Sequence, residues 1–293
     1  MKAAVKSLLK AVRLYHPLQS AYRRMLFGAA LVGWRIRYRK YQGKGYRCNF
    51  CGARYERFVP EWPGREIAPV LNEYGVIAGY GENVFCPRCG SKNRERLVKA
   101  VMEPLLGGES GGLWRGNKKI LHFSPEPHLY RWLAAHAAVT TVDLEPGFYR
   151  SIDKGVRYAD ATTLDFGDNG FDLVVANHVL EHVGDDRAAM AEMFRVLKPL
   201  GLAILQVPYS PTLLCSLEDA NVTDPHERAR RFGQQDHVRI YALSDYLNRL
   251  EATGFRVQLV SPDELAPFRE FAIQPGESVV IGWKDGLGQL KRP

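Results

Sequence analysis

The first 47 residues of this 293-residue sequence contain no aspartate or glutamate. They hold 12 lysines and arginines, whereas the remaining residues include 28 basic and 32 acidic side chains. The formal charge of +8 therefore comes from the amino-terminal arm, and the main body is slightly acidic. An anionic partner, such as anionic lipid or RNA, is expected to contact the arm. The main body is unsuited to extended nucleic-acid binding, because such binding needs lysine and arginine spread over its surface.

Long apolar runs are also missing. The longest, residues 25–34, has ten residues, about half of the ~20 that a membrane-spanning helix needs. Charges scattered through the first forty residues argue against a signal peptide. We therefore expect a cytoplasmic protein, with peripheral contact at the inner membrane surface as an option. The glycine motif GxGxxG is absent, which disfavours a dinucleotide-dependent oxidoreductase.

The arm itself has the pattern of a basic amphipathic helix over residues 2–13, with lysines on one face and apolar side chains on another. Pro17 is expected to end or bend it, and a second helical stretch is predicted over residues 20–38. Three interpretations remain open. The apolar face packs on the protein's own surface, residues 1–40 dock on an anionic membrane or a partner enzyme, or, as the least favoured alternative, the arm binds nucleic acid.

Four of the five cysteines form two matched pairs, in CNFCG and CPRCG. Two residues between thiolates let both sulfurs face one ion, and the following glycine lets the backbone turn. We predict a structural zinc site formed by Cys48, Cys51, Cys86 and Cys89, within a ribbon over residues 45–97. Disulfides are disfavoured by the expected compartment, and a redox function is disfavoured by the duplication of the motif.

The functions of three further residues, which lie after the second cysteine pair, are less clearly indicated by the sequence. Arg94 and Arg96 follow the second pair and either bind an anion or form ion pairs, of which the second is favoured. Cys215 stands alone and is assigned no role.

From residue 118 the pattern alternates between strand-like runs and amphipathic helices. KILHF, VTTVDL, VRYAD, FDLVVANHV and LAILQVP predict five strands linked mainly by helices, and RVQLVS and SVVIGWK predict a terminal strand pair. An amphipathic helix is expected over residues 185–197, with Asp185 as its N-cap and residues 199–201 as its stop signal, and another helix is expected to begin near Ser244 and end at Gly254. The pattern indicates an α/β fold with a doubly wound, mostly parallel seven-stranded sheet.

The stretch FDLVVANHVLEHVGDDRAAMAEMFRVLKPLGLAILQVP resembles the fourth-strand to fifth-strand block of class I S-adenosylmethionine-dependent methyltransferases of the type 11 group. QDHVRIYALSDYLNRLEATGF is similar to the later His-x-Arg-x-Tyr segment of that group. The resemblance covers roughly residues 116–285 and implies a Rossmann-like methyltransferase domain over residues 98–293. With the cysteine pairs, it suggests a bacterial subgroup carrying a zinc ribbon, often found among enzymes of surface polysaccharide or specialised metabolism. Residues 1–44 would then be a separate basic arm.

The resemblance implies S-adenosylmethionine as cofactor, bound beyond the carboxyl ends of the strands. In the first loop the family pattern is an acidic residue followed by Gly-x-Gly, and this sequence has HFSPE instead. The predicted cofactor-binding residues are Phe123, Ser124, Pro125, Glu126, Asp143, Leu144, Asp160, Ala161, Thr162, Asn177 and His178.

Several of these assignments have alternatives. Glu126 either pairs with the cofactor's ammonium group or favours the helix dipole from the first turn. Asp143 is expected to accept both ribose hydroxyls, with Glu145 as a rival two positions later. Asp160 either accepts the adenine amino group or caps its own loop together with Thr162.

Methyl transfer to a hydroxyl is assisted by a base, for which His178 and His237 are the candidates. Residues 209–239 form a long polar insertion at the active edge, and we interpret them as an acceptor lid. The predicted substrate-binding residues are Tyr209, Asp236, His237, Arg239 and Tyr241.

The favoured function is methyl transfer to a small-molecule or saccharide acceptor, at oxygen. The alternatives are an RNA or protein methyltransferase that docks through the ribbon and arm, and a cofactor-binding scaffold without catalysis. Neither the acceptor nor the oligomeric state follows from the sequence.

Overall fold

A computed structural model describes residues 15–61, 68–107 and 117–285. The helices are α1 Tyr15–Arg37, α2 Pro69–Glu73, α3 Asn93–Gly107, α4 Pro127–Ala134, α5 Asp186–Val196, α6 Pro225–Phe232 and α7 Leu243–Thr253. The strands are β1 Gln42–Arg47, β2 Arg54–Tyr55, β3 Lys119–Phe123, β4 Ala138–Asp143, β5 Arg157–Tyr158, β6 Phe171–Asn177, β7 Leu197–Gln206, β8 Tyr209–Ser210, β9 Leu217–Glu218, β10 Arg239–Ala242, β11 Arg256–Val260 and β12 Val279–Trp283.

The main sheet has seven strands in the order β11-β12-β7-β6-β3-β4-β5. The five neighbouring strands β7, β6, β3, β4 and β5 are parallel to one another. Strand β12 runs antiparallel to both β7 and β11. The order reverses between β3 and β6, since the chain moves outward from β3 to β5 and then returns to the other side of β3. This confirms the predicted doubly wound, mostly parallel sheet and places its switch point beside the carboxyl end of β3.

Two buried clusters cover the two faces of this sheet. One contains side chains of α5 and α7, and the other contains side chains of α3 and α4. The central strand β6 is buried along nearly its whole length, as its continuous apolar run predicts.

The predicted caps of two helices, α5 and α7, are present in the structure. Asp185 accepts a hydrogen bond from the Ala188 amide as the predicted N-cap, and Gly254 ends α7 with a left-handed backbone. The helix predicted over residues 185–197 is present as α5, which ends at Val196, before Pro199. Lys198 precedes Pro199, which disfavours helical backbone there, and β7 begins at once.

The predicted ribbon is not separate from the α/β domain. Its α3 crosses the boundary expected at residue 97 and packs beneath the main sheet. The buried guanidinium of Arg96 donates to the carbonyl oxygens of Phe271, Ala272 and Asn83, so it ties the ribbon to the domain. The ion pair favoured for Arg96 is therefore replaced by bonds to backbone carbonyls.

The second helical stretch of the arm is present as α1. Its Phe27 and Trp34 pack on Phe85 of the ribbon, with ring centroids 6.4 and 5.2 Å from that of Phe85. One apolar face thus packs on the protein itself, while Met25 and Ile36 on other faces are exposed. The basic helix predicted over residues 2–13 lies outside the described residues. None of the helices that the structure describes has the length and apolar character for crossing a bilayer.

The contact between α1 and the second cysteine turn predicts a difference between two glycines. A Cβ added at Gly90 would lie 2.5 Å from Phe27 Cζ, whereas one at Gly52 would have no atom within 4 Å. Both residues have left-handed backbones, with φ of +79° and +71°. We expect Gly52→Ala to lower the free energy of unfolding by about 1 kcal/mol, and Gly90→Ala by about 2–4 kcal/mol because of overpacking.

Denaturant unfolding of the zinc-loaded, full-length protein measures both values. Equal losses for the two variants would contradict the packing of α1 on this turn.

Candidate functional site

A cleft of about 950 Å³ opens at the carboxyl ends of β3, β4 and β6. It lies at the switch point of the sheet, where ligands of this fold class bind. Every predicted cofactor-binding residue lines it: Phe123, Ser124, Pro125, Glu126, Asp143, Leu144, Asp160, Ala161, Thr162, Asn177 and His178. The structure thus brings this set together, and their individual roles stay predictions.

The loop after β3 takes a shape that normally calls for glycine. Ser124 has a φ of +46°, a left-handed backbone that side chains rarely adopt. Its hydroxyl donates to Asp143 Oδ2 at 2.6 Å, and its amide donates to the Val142 carbonyl. These bonds offset the strain, so the loop keeps a glycine-like turn without a glycine.

The carboxylate of Glu126 lies at the base of the cleft and is buried. Arg94 Nε donates to its Oε1 at 2.7 Å, and Asn177 Nδ2 donates to its Oε2 at 2.6 Å. Burial raises the pKa of Glu126, and the charge of Arg94 opposes that rise. The ion pair favoured for Arg94 is confirmed. It joins α3 of the ribbon side to the first loop and to the end of β6.

Asp143 ends β4 with a carboxylate that is already oriented. Its Oδ1 accepts from the Glu145 amide at 2.6 Å, and its Oδ2 accepts from Ser124. Burial raises the pKa of Asp143, while these two donors lower it. Glu145 lines the same cleft but is exposed. The partly buried Asp143 is therefore better fixed for two ribose hydroxyls than its rival.

Asp160 has one oxygen engaged by its own loop. Asp160 Oδ1 accepts from the amide and the hydroxyl of Thr162, at 2.9 and 2.7 Å. The loop-capping alternative is thus present in the structure. The bonds from Thr162 lower the pKa of Asp160, so the side chain is an ionised acceptor at the far end of the cleft.

Three histidines and one glutamate follow the end of β6 or face it. His178, Glu181, His182 and His237 all line the cleft. Burial lowers the pKa of both His178 and His237 to about 4, so both rings are neutral at pH 7. Burial alone would raise the pKa of Glu181, but the neighbouring histidines, His178 foremost, hold it at about 2. The two predicted bases are therefore unprotonated, beside an ionised carboxylate.

Three predicted substrate-binding residues do not reach the cleft. Tyr209, Arg239 and Tyr241 are buried in the interior. The Tyr241 hydroxyl donates to Asp186 Oδ2 at 2.7 Å, and Tyr209 Oη accepts from the Ser278 amide at 2.8 Å. We therefore reassign these three residues from substrate binding to support of the fold.

Arg239 supports the loop that carries the histidines. Its guanidinium donates to the carbonyl oxygens of Leu180, Val183 and Gly184, and to the Glu218 carboxylate. It therefore fixes the segment after β6 from below. The other two substrate predictions, Asp236 and His237, line the cleft.

The sequence did not reveal which segment covers the cleft. The chain between the two cysteine pairs packs against the polar insertion: Ile77 bridges to Tyr209, and Gln234 Nε2 donates to the Tyr80 hydroxyl at 2.5 Å. A small apolar cluster with Leu71 and Phe232 joins the two segments. The expected lid, residues 209–239, thus forms a roof with part of the ribbon. The only sequence feature that could have indicated this contribution of the ribbon is the length of the segment between the two cysteine pairs.

The four paired cysteines form a compact cluster away from this cleft. Their sulfur atoms all lie within 4.8 Å of one another, with Cys48–Cys89 at 3.7 Å and Cys51–Cys86 at 3.8 Å. Sulfurs bonded to one zinc at ~2.3 Å in a tetrahedron lie roughly 3.8 Å apart. Disulfide sulfurs would be ~2.05 Å apart. The donor set and its geometry therefore fit zinc.

Comparisons with known proteins agree with this topology. Residues 127–205 match the family model described as "Methyltransferase domain". By this match, residues 127–205 of the α/β region are a methyltransferase domain.

The matched relatives differ in name and in extent. The uncharacterized methyltransferase YcgJ of Bacillus subtilis is 27% identical over 137 residues, which cover 45% of this chain and 51% of that protein. The ubiquinone/menaquinone C-methyltransferase UbiE of Paraburkholderia phymatum is 36% identical over 98 residues, 32% of this chain and 36% of that protein. The mitochondrial arginine-hydroxylase NDUFAF5 of Danio rerio is 31% identical over 135 residues, 45% of this chain and 39% of that protein.

The chain therefore spans about half the length, or less, of these curated relatives. Among solved structures, that of YcgJ from Bacillus subtilis aligns with 66% of this chain and 99% of its own, at 19% identity and a TM-score of 0.43.

Proposed function

We propose that this protein transfers a methyl group from S-adenosylmethionine to a small-molecule or saccharide acceptor, at oxygen. The observation that carries the proposal is the cleft, which lies at the switch point of a methyltransferase domain and is roofed by the ribbon and the insertion. When bound, S-adenosylmethionine would supply a methyl group on a positively charged sulfur. The protein's part is then to orient this group towards the acceptor.

The residues of the cleft fit the separate parts of the cofactor. The Glu126 carboxylate and the Arg94 guanidinium, 2.7 Å apart, offer opposite charges to the ammonium and carboxylate groups of the methionine end. Asp143 would accept the ribose hydroxyls, and Asp160 with Thr162 would meet the adenine. The order of these groups along the cleft follows the order of β3, β4 and β5 in the sheet.

The size of the cleft supports the proposal of a small acceptor molecule. A volume of about 950 Å³ is near the top of the ~300–1,000 Å³ typical of pockets for one drug-sized ligand, so room remains beside the cofactor. The roof encloses that end with Tyr80 and Gln234. Relatives named as quinone methyltransferases also act on small molecules.

Methylation at oxygen requires that the hydroxyl proton leaves as the new bond to carbon forms. The neutral rings of His178 and His237 face the cleft and can accept this proton. His178 or His237 would take up the hydroxyl proton at an imidazole nitrogen, and bound S-adenosylmethionine would supply the methyl group and be left as S-adenosylhomocysteine.

The cofactor assignment is tested by replacing Asp143 with asparagine, which keeps the shape but removes the charge. We expect Asp143→Asn to weaken binding of S-adenosylmethionine by more than about tenfold, since hydrogen bonds to a charged group contribute ~1.5–3 kcal/mol each. Calorimetric titration of the full-length protein measures the affinity. Asp263→Asn, at an exposed position, is the matched control and should bind as the wild type.

Unchanged affinity in Asp143→Asn would remove the ribose assignment. Absence of binding in the wild type, or absence of S-adenosylhomocysteine formation with panels of phenols, alcohols and saccharides, would reject the enzyme proposal.

We also propose that Cys48, Cys51, Cys86 and Cys89 hold one structural zinc ion. Four protein ligands close such a site, so its contribution is to folding. The ion would join the two cysteine pairs inside a buried cluster that also contains Phe58, Val59 and Phe85, and the ribbon carries the segment that leads to Arg94.

Metal analysis of the purified chain tests this assignment. We expect one zinc per chain from the cysteine cluster, and Cys86→Ser should lose it and lower the melting temperature, because the free energy of metal binding contributes to folding. Cys215→Ser is the control and should keep the zinc, since Cys215 is exposed and outside the cluster. A Cys86→Ser protein with wild-type zinc content would refute the assignment.

A further inference from the structure

A second group of possible metal ligands lies inside the cleft. Glu181, His182 and His237 place one ligand atom each within 4.8 Å of the others. We call these three residues the Glu181 cluster. Glu181 and His182 follow the end of β6, and His237 comes from the insertion, so the cluster joins the floor of the cleft to its roof.

The carboxylate of Glu181 is the most unusual part of the cluster. Glu181 is only 1% exposed, and neither of its carboxylate oxygens has a hydrogen-bond partner among the residues that the structure describes. A buried carboxylate without a donor or a counter-charge is strongly unfavourable. His178 Nδ1 approaches Oε1 to 3.4 Å without forming a hydrogen bond. The charge of Glu181 is therefore stabilised by attraction to the histidine rings and to Arg94, and not by hydrogen bonds to its own oxygens.

The two histidines of the cluster are oriented as metal ligands usually are. His237 Nδ1 lies 3.1 Å from the Phe232 carbonyl oxygen, and His182 Nδ1 lies 3.2 Å from the Asp236 carbonyl oxygen. Each Nδ1 therefore carries the proton and donates it to a carbonyl. The Nε2 atoms keep their lone pairs, and that of His182 is 3.8 Å from Glu181 Oε1. Such outer hydrogen bonds fix the tautomer of histidines that bind metals.

We propose that Glu181, His182 and His237 bind a divalent transition-metal ion at the acceptor end of the cleft. Ligands at ~2.0–2.2 Å from one ion lie at most about 4.4 Å apart, so small side-chain rotations close the cluster around it. Two imidazoles and one carboxylate suit zinc, iron or manganese better than magnesium, which prefers oxygen ligands.

This site adds a specificity element to the cleft. Three protein ligands leave coordination positions open, and these face the space beside the end of β6. An acceptor with a hydroxyl or another oxygen donor fits those positions. His237 then acts as a ligand, which leaves His178 as the proton acceptor. Metal binding itself does not require methyl transfer, so the two proposals can fail separately.

Manganese is a suitable probe, because it prefers oxygen and nitrogen ligands and leaves the thiolate site to zinc. Mn²⁺ is titrated into the zinc-loaded, full-length protein and followed by the paramagnetic resonance signal of free Mn²⁺. We expect one Mn²⁺ per chain, displaced by added Zn²⁺, which binds such ligands more tightly. Glu181→Gln and His237→Gln should each weaken Mn²⁺ binding by more than about 100-fold, beyond the loss that outer-sphere changes cause.

The control variant is His136→Gln, which removes an exposed histidine far from the cleft and should bind Mn²⁺ as the wild type. Melting curves and calorimetry with S-adenosylhomocysteine establish that each variant is folded and binds cofactor. The proposal is overturned if the wild type binds neither Mn²⁺ nor Zn²⁺ beyond the ribbon ion, or if Glu181→Gln binds Mn²⁺ with wild-type affinity.

Discussion

The buried ion pair between Arg94 and Glu126 is the contact on which the arrangement of the cleft depends. It joins the first residues of α3 to the loop after β3, and Asn177 extends it to the end of β6. A buried charge that loses its partner is strongly destabilising, so these three elements must keep their positions together. The ribbon consequently forms one wall of the cofactor cleft and is not an appended module.

The contact between ribbon and domain also explains why two separate segments of the chain form the roof of the cleft. The segment before the second cysteine pair contributes Ile77 and Tyr80, and the insertion contributes Tyr209 and Gln234. Zinc bound to the cysteines would hold the first of these segments, while Arg239 holds the loop beneath the second. The cysteine cluster, the cleft and its roof are therefore linked through packing.

The sequence predicted the strands, the order of the cleft residues and the cysteine cluster, because these depend on local periodicity and spacing. It did not predict that Arg94 lines the cleft, since its contact with Glu126 joins residues 32 positions apart. Ser124 took a backbone for which glycine is the usual signal, and its bond to Asp143 supplied the compensation. Tyr241 was predicted to bind the acceptor, yet its hydroxyl donates to the buried carboxylate of Asp186.

The affinity of the full-length protein for S-adenosylhomocysteine in the Arg94→Gln variant tests the central claim most directly. That ligand keeps the amino acid end of the cofactor, so loss of the guanidinium should weaken binding by more than about tenfold. Lys118→Gln, which breaks an ion pair with Asp172 at the opposite end of the strands, should retain wild-type affinity. A folded Arg94→Gln protein that binds as tightly as the wild type would contradict the shared cleft proposed for ribbon and domain.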